Sequence, residues 1–131
     1  GYPYRLVCLQ EPGRFRAPRD SWELQSLADE SVAMRLFPDH YQRRVLLTHM
    51  RPEVARGHLW PILPDALKTA VLGYRNQGGT LDEAGMLFAN RCSWAHVLAA
   101  CARLLDVPRS ALLAPDEAAA VAGKDSPAVL R

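Results

Sequence analysis

The sequence TLDEAGMLFANRCSWAHVLAACARLLDVPRSALL, residues 80–113, carries the longest sustained helical pattern in the chain and most of its packable apolar surface. Leu81, Ala84, Phe88, Cys92, Ala95, Leu98, Ala99, Ala102 and Leu105 recur at steps of three or four, which gathers them on one stripe of a helix with 3.6 residues per turn. Such a stripe must face a core. Gly78 and Gly79 punctuate the chain before it, and Thr80 with Glu83 forms a capping-box pattern, so a helix is expected from Leu81. Asn90, Arg91 and Ser93 favour turns and N-caps, so the stretch reads as one helix of about seven turns or, in the preferred reading, as two broken near residues 90–93. Pro108 pushes Val107 out of the helical region and closes the second of them.

Working outward, Asp20 with Glu23 opens a helix whose Leu24, Ala28, Val32 and Leu36 share one ridge, ended by Pro38. Asp39 with Gln42 repeats the device and predicts a helix over 41–50, stopped by Pro52. The run HLWPIL is flanked by Gly57, Pro61 and Pro64 and reads as an extended connection over the core surface, anchored by Trp60. Leu67, Ala70, Val71 and Tyr74 have amphipathic spacing and predict a helix ending near Arg75, followed by a turn at 76–79. Beyond Pro108 a short helical turn is expected at 110–114, then a helix at 115–122 capped by Gly123. YRLVCLQ, residues 4–10, is the only strand-like segment, closed by Pro12-Gly13; residues 11–19, with two prolines and three arginines, read as a loop. The expected fold is mainly α: a single compact helical domain of five or six short helices with an N-terminal extended arm or strand. Its divisions are an arm at 1–19, a helical domain at 20–123 and a frayed tail at 124–131.

At 131 residues, 49% apolar and 23% charged, the chain suits one globular domain able to bury a core without staples. A net charge of +2 from 16 basic and 14 acidic residues is too balanced to require nucleic acid or an anionic membrane as a partner. No apolar run approaches the roughly 18 residues of a membrane span, and no signal-peptide pattern opens the chain. Its start at Gly1, without methionine, suggests a trimmed or excised domain. Three cysteines, Cys8, Cys92 and Cys101, cannot all pair within one chain, which favours reduced thiols and a cytoplasmic setting.

The chemical motifs are sparse. Cys92 and His96, four apart on a helix, have the spacing of two zinc ligands, but Cys101 lies roughly 140° around the helix. With no CxxC or HExxH, neither a metal site nor a cofactor is expected, and the cysteines read as small core residues. A Cys–His nucleophile drawn from the same residues has nothing to lower its thiol pKa, so a small Cys/His enzyme is the last of three functional readings. Gly78-Gly79-Thr80 lacks a phosphate-loop pattern and is explained by a turn and a cap.

The first reading is a non-enzymatic protein-interaction or regulatory module. The arm alternates aromatic, aliphatic and arginine residues in a region the helices do not need, so Tyr2, Tyr4, Arg5, Arg14, Phe15 and Arg16 are the expected contacts with a protein partner or a second copy. The second reading is DNA binding. The break at 90–93 resembles a helix-turn-helix in outline over residues 81–105, and LAACARLLDVPRSALLAPD locally resembles the last helix of Cro/C1-type repressor domains, a part that family uses for packing. Arg43, Arg44 and Arg91 are the candidate nucleic-acid contacts, with His40 and His49 beside the first two. A helix opening Ser93-Trp94-Ala95-His96 would nonetheless place no Arg, Lys or Gln where base edges are read.

Overall fold

Two short strands lying parallel organise the chain. The computed structural model describes residues 1–27 and 30–130, and in it β1 (Arg44–Thr48) pairs with β2 (Thr69–Gly73), Arg44 opposite Thr69 and Thr48 opposite Gly73. Parallel strands cannot be joined by a hairpin. The connection is α3 (Pro52–Leu59) followed by a 3-10 turn, Trp60–Ile62, so β1, α3 and β2 form a βαβ unit. Before it come a 3-10 turn at Pro12–Phe15, α1 (Ser21–Leu27) and α2 (Glu30–Leu36); after it come α4 (Glu83–Ala89), α5 (Trp94–Leu105), a 3-10 turn at Arg109–Ala111, α6 (Pro115–Val121) and a final 3-10 turn at Pro127–Leu130.

The core lies on both faces of the strand pair. Ala70 of β2 is buried with Ala100 and Leu104 of α5, and Val45 and Leu72 pack against them. Alternation along the strand turns Val71 to the opposite face, the side crossed by α3, whose Ala55 and Leu59 are buried together with Ile62 of the following turn. Of the stripe expected on residues 81–105, Cys92, Ala95 and Ala102 are buried but Leu81 and Ala84 are exposed, and the α5 residues in the cluster with the sheet are Ala100 and Leu104, which lie outside that stripe. Helices carry most of the regular structure, with a small two-stranded parallel sheet among them.

Several expectations are overturned here. The helix expected over 41–50 is strand β1, and the helix expected over 67–75 is strand β2. RVLLT and TAVLG are five-residue apolar runs, too short for periodicity to separate a helix from a buried strand, and pairing between them decides. The extended connection expected at HLWPIL is instead helix α3 and its 3-10 turn. Pro52, expected only as a stop, sits in the first turn of α3, where its missing N–H would have no partner in any case. Residues 4–10, expected as a strand, join no ladder among the described residues and form no regular element there. Asp39 with Gln42 opens no helix; Tyr41 N–H donates to the Pro38 carbonyl in a turn at 3.0 Å.

The caps at the helix ends were partly foreseen. Asp20 Oδ1 accepts from the Glu23 N–H at 2.8 Å, as an N-cap should. At α4 the cap is Asp82, accepting from Gly85 N–H at 2.8 Å, so that helix begins at Glu83 and not at Leu81. The break between α4 and α5 falls at 90–93 as expected, and α5 ends with Asp106 in the left-handed region, φ 57°. Gly123, with φ 72°, closes α6 through a Lys124 N–H to Ala119 carbonyl bond of 2.9 Å. The ridge position Ala28 lies outside the described residues. The final 3-10 turn packs on α6, and the Trp94 indole N–H donates to the Leu130 carbonyl at 3.2 Å.

Two residues fix how the layers meet. At Gly73 a Cβ would stand 2.2 Å from the Met50 carbonyl oxygen and 3.0 Å from Pro52 Cδ, so the end of β2 approaches the start of α3 only because this residue is glycine. Asn90, fully buried at the α4–α5 break, uses its whole amide: Oδ1 accepts from the N–H groups of Arg75 (2.8 Å) and Gln77 (3.0 Å), and Nδ2 donates to the carbonyls of Gln77 and Met86 (2.8 Å each). It ties the segment leaving β2 to the turn that launches α5.

Gly73→Ala is expected to destabilise the protein by about 1–3 kcal/mol through overpacking against backbone. Gly57→Ala, in α3 with open space around it, is expected to stabilise by up to about 1 kcal/mol through helix propensity. Urea denaturation of both variants checks the contrast. Asn90→Ala removes four side-chain hydrogen bonds at a fully buried position, and the same measurement is expected to show a loss of about 2–4 kcal/mol.

Candidate functional site

Residues 1–9 form no regular element and residue 10 is a bend; residues 1–6 are all exposed, and burial alternates over residues 6–10. Val7 and Leu9 are half-buried, whereas Tyr4, Leu6, Cys8 and Gln10 are exposed, Tyr4 at 85% and Leu6 at 90%. A period of two is what an extended chain produces when one side lies on a surface. Arg5 is exposed but reaches back to the body: its guanidinium donates to the Arg35 carbonyl at the end of α2 and lies over the Tyr41 ring, 5.4 Å from the centroid. The arm is thereby fixed to the body near the entrance to β1. Its outer row is Tyr2, Tyr4, Leu6, Cys8 and Gln10, apolar or neutral throughout.

Below residue 10 the chain is tied more tightly. Phe15 meets Phe37 edge to face with centroids 5.6 Å apart, which attaches the first 3-10 turn to the residue following α2. Arg14 pairs with Glu11 in an exposed i,i+3 contact of little energetic weight. Arg16 reaches the Glu23 carboxylate through both terminal nitrogens, at 2.7 and 2.6 Å, and Arg19 adds its backbone N–H at 2.8 Å and its Nε at 2.7 Å. Glu23 is the one buried charged residue among the described residues, at 3% exposure, and this ring of donors is what makes that burial tolerable. The arginine bonds hold the Glu23 carboxyl far below the usual carboxylate range. Thus Phe15 and Arg16, expected to reach a partner, face the protein's own body, while Tyr2 and Tyr4 remain available. Arg5 anchors the arm.

The candidate nucleic-acid residues separate in the same way. Arg44 is turned inward: its guanidinium donates to the carbonyls of Phe37, at 2.9 Å, and Ile62, and stacks over the Phe37 ring at 5.3 Å. It clamps the end of α2 and the α3–β2 connection onto β1. Arg43 and Arg91 are exposed, and Arg91 has a left-handed backbone, φ 58°, at the α4–α5 break. The three do not form one free basic face.

Cys92, Ser93 and His96 come together at the start of α5. Ser93 Oγ lies 2.7 Å from His96 Nδ1, the imidazole sits edge-on to Phe88 with centroids 5.1 Å apart, and Cys92 Sγ donates to the Asn90 carbonyl at 3.3 Å. An apolar cavity of about 110 Å³, lined by Phe88, Ser93, Trp94 and Leu130 among others, adjoins the pair. Burial and the positive charges of Arg91 and Arg109 lower the His96 pKa, and burial raises the thiols of Cys92 and Cys101. A general base at Ser93 must become an imidazolium as it takes the proton, and both arginines oppose that charge. A neutral thiol is likewise a poor nucleophile. The electrostatics therefore favour a structural Ser93–His96 bond at the helix start over nucleophilic chemistry. Among the described residues no group of three or more His, Cys, Asp or Glu side chains is placed to hold a metal ion.

Sequence reasoning missed Glu23 and Asn90 as buried, fully partnered side chains and Arg44 as a clamp. Two arginines within seven residues of a glutamate are a signal in principle, but burial at position 23 is decided by packing.

Glu23→Gln is expected to lower the melting temperature at neutral pH, leaving Arg16 and Arg19 without a counter-charge. Because the folded carboxyl titrates far below its unfolded value of 4.5, its contribution is complete above that pH and is lost as pH falls beneath it. A melting series from pH 7 to pH 3 should accordingly show a shallower acid decline in the variant than in the native protein. No family model, no curated protein and no solved structure matches the chain.

Proposed function

We propose that the protein is a non-enzymatic interaction module that engages a protein partner through the outer row of its N-terminal arm. One observation carries this: a strand-like segment, fixed to the body by Arg5, Val7 and Leu9, presents Tyr2, Tyr4, Leu6 and Cys8 to solvent. No backbone–backbone hydrogen bond involves residues 1–10 among those of the described residues. Large exposed apolar side chains on a segment whose backbone bonds no other backbone among the described residues would suit strand addition, in which main-chain bonds supply affinity and alternate side chains supply selectivity. Fixing the strand in advance reduces the ordering cost of association.

The contact set is correspondingly narrower than the whole arm. Tyr2, Tyr4 and Leu6 are the partner-facing residues; Arg5, Phe15 and Arg16 hold the arm and its base in place. Tyr4→Ser with Leu6→Ser removes the apolar row without touching these anchors. Cross-linking followed by affinity capture is expected to recover a partner with the native protein and to lose it in the double variant, with far-UV circular dichroism unchanged. Equal capture by both proteins sinks the proposal.

A further inference from the structure

We propose that the cavity beside Ser93 is a binding site for a small, neutral phenol. The site shares no residue with the arm, so it goes beyond the interaction reading and does not depend on it. Size sets the first limit. At about 110 Å³ the cavity is well below the roughly 300–1,000 Å³ of pockets that hold drug-sized ligands and cofactors. An apolar cavity of about 150 Å³ takes one benzene ring, so a single ring with its far edge towards solvent is the largest group that fits. Leu87 and Trp94 of the lining are exposed, which leaves the cavity open to entry.

The lining sets the second limit. Phe88 and Trp94 contribute aromatic rings, and Leu87, Pro127 and Leu130 contribute aliphatic surface. A charged ligand would lose hydration there without gaining a counter-ion among the lining residues. Offset or edge-to-face contacts with the two rings favour an aromatic ligand over an aliphatic one of equal size.

Ser93 supplies the polar contact. The other polar side chain of the lining, the Trp94 indole, already gives its N–H to the Leu130 carbonyl at 3.2 Å. Ser93 stands at the N-cap of α5, where a serine ordinarily accepts from a first-turn amide, yet its hydroxyl makes no cap bond and instead meets His96 Nδ1 at 2.7 Å. A hydroxyl has one donor and two acceptor lone pairs. One bond to one imidazole nitrogen therefore leaves hydrogen-bonding capacity unused on a residue only 7% exposed. A phenol O–H both donates and accepts, so it matches Ser93 whichever tautomer His96 holds.

The test is a titration of the whole chain with phenol, followed in assigned proton–nitrogen correlation spectra. Saturable shifts are expected at the Trp94 indole N–H and at the amides of residues 84–94. Benzene, the same ring without the hydroxyl, should bind about three- to tenfold more weakly, the equivalent of one hydrogen bond. Ser93→Ala should bind the two compounds equally; because the native hydroxyl makes no cap bond, circular dichroism should be unchanged. Ala84→Leu, at an exposed helical position in the cavity wall, should abolish binding of both. Shifts that do not saturate or that fall elsewhere in the chain overturn the site, as does phenol binding that survives Ala84→Leu. Equal affinity of the native protein for phenol and benzene, or a preference for phenol that persists in Ser93→Ala, overturns the assignment of the ligand class.

Discussion

Parallel pairing of two short strands is the constraint from which the rest of the molecule follows. A parallel pair exposes two apolar faces and cannot be closed by a turn, so the chain must cross one face and return, and something else must cover the other. Here α3 makes the crossing and α5 covers the opposite side, bringing Ala100 and Leu104 onto Ala70. The small residues at that contact let the helix approach the sheet closely. Gly73 has the same function at the other layer, where the Met50 carbonyl fills the space a side chain would need.

Polar groups hold this arrangement at three places, and each is fully partnered. Asn90 joins the exit from β2 to the launch of α5, Arg44 joins β1 to the end of α2 and to Ile62, and Glu23 joins α1 to the base of the arm through Arg16 and Arg19. Buried polar groups of this kind add little net energy when satisfied and cost a great deal when one partner is lost, so they specify which segments meet more than they drive collapse. No buried side-chain polar atom lacks a hydrogen bond among the described residues.

The arm differs in character from the body it lies on. Its inner side is anchored by one cation–π contact, one guanidinium–carbonyl bond and two half-buried aliphatic residues; its outer side is an uncharged row without backbone partners. The candidate catalytic group is set the other way. Ser93 and His96 are hydrogen-bonded, yet burial first, and then the positive charges of Arg91 and Arg109, lower the His96 pKa. Proximity alone does not make a dyad.

The sequence by itself determined the elements whose signals are local. Helix α5, the helix break at 90–93, the Asp20 cap, the helix end before Pro108 and the Gly123 cap all follow from side chains within a few residues of one another. What the tertiary structure decided was non-local. RVLLT and TAVLG become strands because each supplies the other's hydrogen bonds across some 25 residues, and that same pairing makes HLWPIL part of a crossover instead of an extended connection. Which arginines stay free also waits on the fold: a guanidinium is solvated or buried according to the carbonyls and carboxylates that distant segments bring to it. Periodicity records which face of a segment is apolar, and it contains nothing about which other segment will cover that face.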